Sequence, residues 1–404
     1  MPATTLFKVF FGNRGRSYLS ARFGSVTLSM FYSIIYSKEL GITNRSILAM
    51  IMSASLVLTL LTLGGVSLHS RHSNLTQELK YDKSIYFSII IPLSLFNALV
   101  VFSILNLYSR ITGVQIPNNL LLISLIYSFF ASCYFGLSDG LLLLDSIREV
   151  ALLDFTVVIS QLIMFFFFAK IGGLSTIVCV LFAFIFSYVI AGFAIVVLLV
   201  YTEQARFLGL KTSMAHFFRD SKSAYVISVS NELNGRIDRL FVGLILPISE
   251  LAKYAVATGL LSYFRFLPEA LTKMSLALNA NYFHRWGKFR RYFFLFAIIA
   301  ILSISFLVKE FIAFFFGAEW AFTISVVLAL TILELSRGFL SIVFSTMMLT
   351  KDLRIVRRYS FISLFFISMI FPTVLWFANL LTAILFMSIV HMSLASFGLK
   401  RDSK

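Results

Sequence analysis

The sequence predicts an all-α, polytopic membrane protein of about 12 transmembrane helices in two six-helix halves. Three observations predict it. Of 404 residues, 59% are hydrophobic and only 13% charged, with a mean hydropathy of +0.93, too apolar for a soluble domain of this size. The apolar residues fall into runs long enough to cross a bilayer, separated by short polar segments. Basic residues also alternate: with the N-terminus inside, the inward segments hold 23 Lys and Arg and the outward ones 6. That is the positive-inside asymmetry, and one missed span would invert every later loop and erase it. Both termini are therefore expected in the cytoplasm.

Taken in order, residues 1–17 form a basic anchor with Lys8, Arg14 and Arg16 around LFKVFF. The first span covers 18–38 and serves as an uncleaved insertion signal, because no signal-peptide pattern with a small-residue cleavage site precedes it. Ser25, Ser29, Ser33 and Ser37 repeat every fourth residue along it, a small, polar stripe suited to close helix packing. Further spans are expected at 46–68, 84–107 with a tolerated Pro92, 119–137, 151–169 and 174–201. Asp154 is expected at a solvated helix end. The polar interval 202–222 divides the chain, giving an N-terminal bundle at 1–202, a cytoplasmic connecting loop at 203–222 and a C-terminal bundle at 223–404. The second half continues with spans at 225–246, ended by Pro247, then 251–280, 292–308, 321–349, 359–376 and 379–398, with FFFGAEW (314–320) as a short outer turn.

Several function classes lack their signatures. The net charge of +16 resides in loop segments, as topology signals do, so no nucleic-acid partner is expected. Cys133 and Cys179 have neither CxxC nor metal spacing. There is no phosphate-binding G-x-x-x-x-G-K-[ST], no H-E-x-x-H and no G-x-S-x-G. Catalytic residues, cofactors and metal ligands are accordingly not expected. A transporter is the better class.

The chemistry concentrates in YVISVSNELNGRIDRLFVGLIL (225–246), where Glu232, Arg236, Asp238 and Arg239 occupy the middle of an apolar run. A charge at the bilayer centre costs roughly 2.5–3.5 kcal/mol on insertion scales, so these groups must face protein or a watery cavity. Arg265, Glu269 and Lys273 follow at i, i+4, i+8 spacing, and Glu334 lies one turn from Arg337. Two readings stand. The charges neutralise one another and lock the second half together. Alternatively Arg236, Arg239, Arg265, Lys273 and Arg337 line a hydrated cavity that attracts an anionic substrate, arginine forks suiting a pyrophosphate. In that case a carboxylate among Glu232, Asp238, Glu269 and Glu334 could bind a coupling proton or sodium ion.

Over NGRIDRLFVGLILPISELAKYAVATGLLSYFRFLPEAL (234–271) the chain resembles the polysaccharide flippases of the multidrug/oligosaccharidyl-lipid/polysaccharide (MOP) exporter superfamily, in particular O-antigen flippases. Ile237-Asp238-Arg239 matches their seventh-helix core and Tyr254-Ala255-Val256-Ala257 the start of the eighth. The resemblance implies two six-helix bundles around a central cavity that opens alternately to each face of a bacterial inner membrane. The implied cargo is an undecaprenyl-pyrophosphate-linked oligosaccharide, the O-antigen repeat unit of lipopolysaccharide biosynthesis, moved from the cytoplasmic to the periplasmic leaflet. Membrane lipids, a polysaccharide polymerase and a chain-length regulator are the further partners it implies. Arg236, Asp238 and Arg239 would lie in or beside the cavity, with Arg265, Lys273 and Arg337 as further headgroup residues. One departure is that the first six spans carry no central cation beyond Arg22 near the cytoplasmic end.

Two other readings belong beside this one. A cation-coupled drug antiporter of the same superfamily would use the four carboxylates for organic cations. A membrane polysaccharide polymerase or glycosyltransferase would need positioned polar groups on the outer face, where segments are short. Asn97, Asn106, Gln161, Asn279 and Asn281 are the scattered polar side chains on which sugar recognition would rest.

Overall fold

The structure is a computed structural model that describes residues 13–59, 83–143, 147–171, 173–201, 237–262, 307–350 and 353–402. All regular structure among them is helical, as a bilayer demands of a chain that must satisfy its own backbone groups. The helices are α1 (Asn13–Thr59), α2 (Lys83–Thr112), α3 (Asn118–Leu143), α4 (Ile147–Lys170), α5 (Thr176–Tyr201), α6 (237–245) and α7 (Ile248–Ser262). After them come α8 (307–316), α9 (Ile324–Thr350), α10 (Leu353–Phe365), α11 (Phe371–Phe377) and α12 (Leu380–Asp402). Among the described residues six segments are long and apolar enough to cross a membrane, and Leu380–Ser396 is a shorter apolar helix. The chain is a multi-pass membrane protein.

The expected spans at 46–68, 225–246, 251–280 and 292–308 lie partly outside the described residues; the others appear within a few residues of their predicted ends, and the differences have local causes. The predicted break between the first two spans narrows to one residue: α1 bends at Gly41, with φ 68° and ψ 175°. A side chain is essentially forbidden at those angles, so the kink needs glycine. The expected outer turn at 314–320 starts late. Helix α8 continues through Phe316 and only Ala318–Trp320 forms a 3₁₀ turn. Between α10 and α11 the chain opens into one π-helical stretch, Phe366–Ile370, just before Pro372. Proline supplies no N–H to an ordinary helical ladder, so a looser turn precedes it.

The chain forms two compact units, one of residues 1–39 and 54–225, the other of 40–53 and 226–404. In the first, α2 packs on α3, α3 on α5, and α4 on α5. Its interior carries an aromatic layer in which Tyr32 meets Phe165 and Phe184 edge-on or tilted, and Tyr134 stacks on Tyr188 at 5.2 Å. Ser25 donates to the Asp154 carbonyl at 3.3 Å, and Gly24 lies against the Phe155 ring. The start of α1 thus touches α4 at Ser25, one member of the serine stripe, and at Gly24. Asp154 departs from expectation. It is half-buried and accepts a 2.7 Å hydrogen bond from Tyr134, so the helix end is tied to α3 instead of freely solvated.

In the second unit, α9 packs along α12 and against α7. The 40–53 part of α1 joins them: Ser46 donates to the Ile248 carbonyl at 2.5 Å, and Met50 reaches Gly243 of α6. Phe193, Phe314, Trp376 and Phe377 are among the exposed large side chains, the aromatic bulk expected of lipid-facing surface.

Candidate functional site

Helix α6 carries the Ile237-Asp238-Arg239 core. It ends at Ile245, two residues before Pro247, and the Glu250 amide bonds back to the Pro247 carbonyl to start α7. The residue before a proline avoids helical angles, so the sequence itself sets this sharp connection. Tight contact of the two helices is secured at Gly243, where an added Cβ would sit 2.9 Å from a Leu251 methyl.

That packing brings two side chains from two other helices onto Asp238. Tyr254 of α7 donates its hydroxyl to Asp238 Oδ2, and Arg337 of α9 holds the same oxygen through Nη2 at 2.9 Å. The other guanidinium nitrogen, Nη1, bonds Glu334 Oε1 at 2.6 Å, one turn earlier on α9. Nη2 also lies 3.9 Å from the Met387 sulfur on α12. Asp238, Tyr254, Glu334 and Arg337 are all at most 5% exposed. Arg239, half-buried beside them, interacts electrostatically with Asp238. Two carboxylates and two guanidinium groups sum to zero, so the described part of the cluster is internally neutral.

The expectation of cavity-lining cations therefore meets a specific geometry at Arg337, whose fork grips two carboxylates. Asp238 and Glu334, candidates for ion coupling, are brought together through it. The remaining candidates, Glu232, Arg236, Arg265, Glu269 and Lys273, lie outside the described residues, as do Asn279 and Asn281. Sequence reasoning paired Glu334 with Arg337 from their spacing but missed Tyr254 and Met387. Tyr254 stood in plain view within the Tyr-Ala-Val-Ala motif, and a tyrosine among small residues at a helix start was the available signal. Asn97 and Gln161, considered for sugar recognition, are buried within the first unit, and Asn106 bonds its own helix at the Phe102 carbonyl. Among the described residues no group of three His, Cys, Asp or Glu could hold a metal ion.

No known family profile and no curated protein matches the sequence. Solved structures do match. The lipid II flippase MurJ in an inward closed conformation aligns over 96% of this chain and 87% of its own, with TM-score 0.67 and 15% identity. An inward-facing multidrug resistance MATE family transporter of the MOP superfamily aligns over 96% and 98%, with TM-score 0.65 and 12% identity. The fold is that of the MOP-superfamily transporters. The Vibrio cholerae MATE transporter VcmN in its bent form has the same MOP fold at TM-score 0.56, 10% identity and coverage of 96% and 95%. At these identities the likeness is one of fold. Within the MOP fold of this chain, the ion-paired cluster belongs to the second unit.

Proposed function

We propose that this protein is a flippase that moves an undecaprenyl-pyrophosphate-linked oligosaccharide, an O-antigen repeat unit, from the cytoplasmic to the periplasmic leaflet of a bacterial inner membrane. It works by alternating opening of a central cavity and catalyses no covalent chemistry. Both termini are cytoplasmic, and a polysaccharide polymerase and chain-length regulator act on the product side.

The observation that carries this reading over a drug antiporter is the engagement of Asp238 and Glu334 by Arg337. A carboxylate already holding an internal guanidinium is a poor receptor for an organic cation, because the incoming charge must displace a buried partner. Arg236, Arg265 and Lys273, intramembrane cations by the sequence reading, are the groups that suit a pyrophosphate. The fold shared with a lipid II flippase supports the same substrate class.

The deciding experiment measures undecaprenyl-pyrophosphate-linked oligosaccharide in the native host with and without the protein. Accumulation of complete repeat units with loss of surface polysaccharide is expected. No change in either, together with increased sensitivity to cationic drugs, would move the assignment to the antiporter reading. In the same strain, Arg236→Ala should block surface polysaccharide at normal protein levels.

A further inference from the structure

The interior of the first unit holds an uncharged polar cluster. Ser55 and Thr59 of α1, Asn97 of α2, and Ser128 and Ser132 of α3 meet there, all at most 4% exposed or fully buried. Their hydrogen bonds to carbonyls set the direction of the contacts between hydroxyls. Thr59 donates to the Ser55 carbonyl at 2.7 Å, so the 2.7 Å contact between Thr59 and Ser132 takes its proton from Ser132. Ser128 donates to the Ser124 carbonyl at 2.7 Å, so the 2.6 Å contact between Ser55 and Ser128 takes its proton from Ser55. The Asn97 amide donates both hydrogens, to Thr59 Oγ1 at 3.0 Å and to Ser132 Oγ.

One strong acceptor is left over. Asn97 is 0% exposed, and no donor among the described residues reaches its Oδ1. None of the neighbouring hydroxyls donates to it. On the same face of α2, one turn earlier, the buried Ser94 Oγ adjoins the weakly bonding Cys133 thiol and has no oxygen or nitrogen partner among the described residues. Residues three apart on a helix have Cβ atoms about 5–6 Å apart, a gap that one molecule making two hydrogen bonds of about 2.8 Å can span.

We propose that Asn97 Oδ1 and Ser94 Oγ bind one buried water molecule, which donates to the amide oxygen and accepts from or donates to the serine. Water fits because the site needs a neutral molecule that brings its own proton and finds two or more polar partners. A bare sodium ion does not fit. None of the six side chains carries negative charge, and an uncompensated ion is costly to bury. The inference stands whether or not the proposed function holds.

The test is an experimental structure of the full chain in lipid nanodiscs, at a resolution that shows ordered water, in sodium-containing and sodium-free buffer. Density at hydrogen-bond distance from Asn97 Oδ1 in both buffers is expected, and Ser94→Ala should weaken or abolish it. Asn97→Leu should also abolish it. This variant is expected to fold, since Thr59 and Ser132 lose only bonds they accept. Absence of density in the wild type, density that requires sodium, or density that persists unchanged in Asn97→Leu would each overturn the proposal.

Discussion

Arg337 of α9 grips Asp238 of α6 at 2.9 Å with both side chains at most 4% exposed. A single guanidinium thereby ties together α6, α7 through Tyr254, and α9's own Glu334. Removing one member of a buried ion pair leaves an uncompensated charge and typically costs 3–5 kcal/mol. Arg337→Gln should therefore lower the thermal midpoint of the purified protein sharply, while Asp238→Asn with Arg337→Gln should recover part of the loss. A loss in the double variant equal to the sum of the losses in the two single variants would show that the two residues are not coupled. A midpoint unchanged by Arg337→Gln would release Arg337 for a role in substrate binding.

Tyr254→Phe tests the third arm of the same cluster. The ring is 0% exposed and keeps its packing in the variant, so the change isolates the hydroxyl given to Asp238. A bond to a charged group is worth about 1.5–3 kcal/mol. The expected result is a lower thermal midpoint with normal expression, and a smaller effect in the Asp238→Asn background.

At Gly243 the prediction is steric. A Cβ there meets the Leu251 side chain at 2.9 Å, and Leu251 is fully buried. Gly243→Val should cost about 1–3 kcal/mol through overpacking. Combining it with Leu251→Ala should return a measurable part of that loss in the same unfolding assay. Failure of the pair to interact would mean that the helices separate without strain.

Gly41 makes the complementary case, because nothing lies within 4 Å of an added Cβ. Its φ of 68° and ψ of 175° fall where essentially only glycine is found. Gly41→Ala and Gly41→Asn should destabilise alike, by about 1–3 kcal/mol, since asparagine tolerates ordinary left-handed helical angles but not these. Rescue by asparagine would show that the kink adopts different angles.

The sequence makes the spans legible because bilayer thickness and backbone satisfaction leave few alternatives to long apolar helices. It also makes the Glu334–Arg337 pair legible, since both lie one turn apart on one helix. Partners on different helices are another matter. Nothing in a single sequence says that the Asp238 carboxylate meets Arg337 rather than Arg236, because helix rotation and packing decide it. Asn97 illustrates the same limit: its composition suits sugar recognition, yet its neighbours Thr59 and Ser132 bury it. Asp154 read as a terminal residue by position, and only the packing of α3 beside α4 supplies Tyr134.

The π-helical stretch Phe366–Ile370 explains a regularity further along. Ser363, Ile367, Phe371 and Leu375 are all buried, at a strict interval of four. In an uninterrupted α-helix, every fourth residue advances about 40° beyond a full turn, so three such steps would carry Leu375 about 120° away from Ser363. A wider turn takes back much of that drift, keeping one edge of the segment aimed inward along its whole length. Shortening the stretch by a single residue would consequently act like turning a key, swinging Phe371 and Leu375 toward lipid without touching either of them.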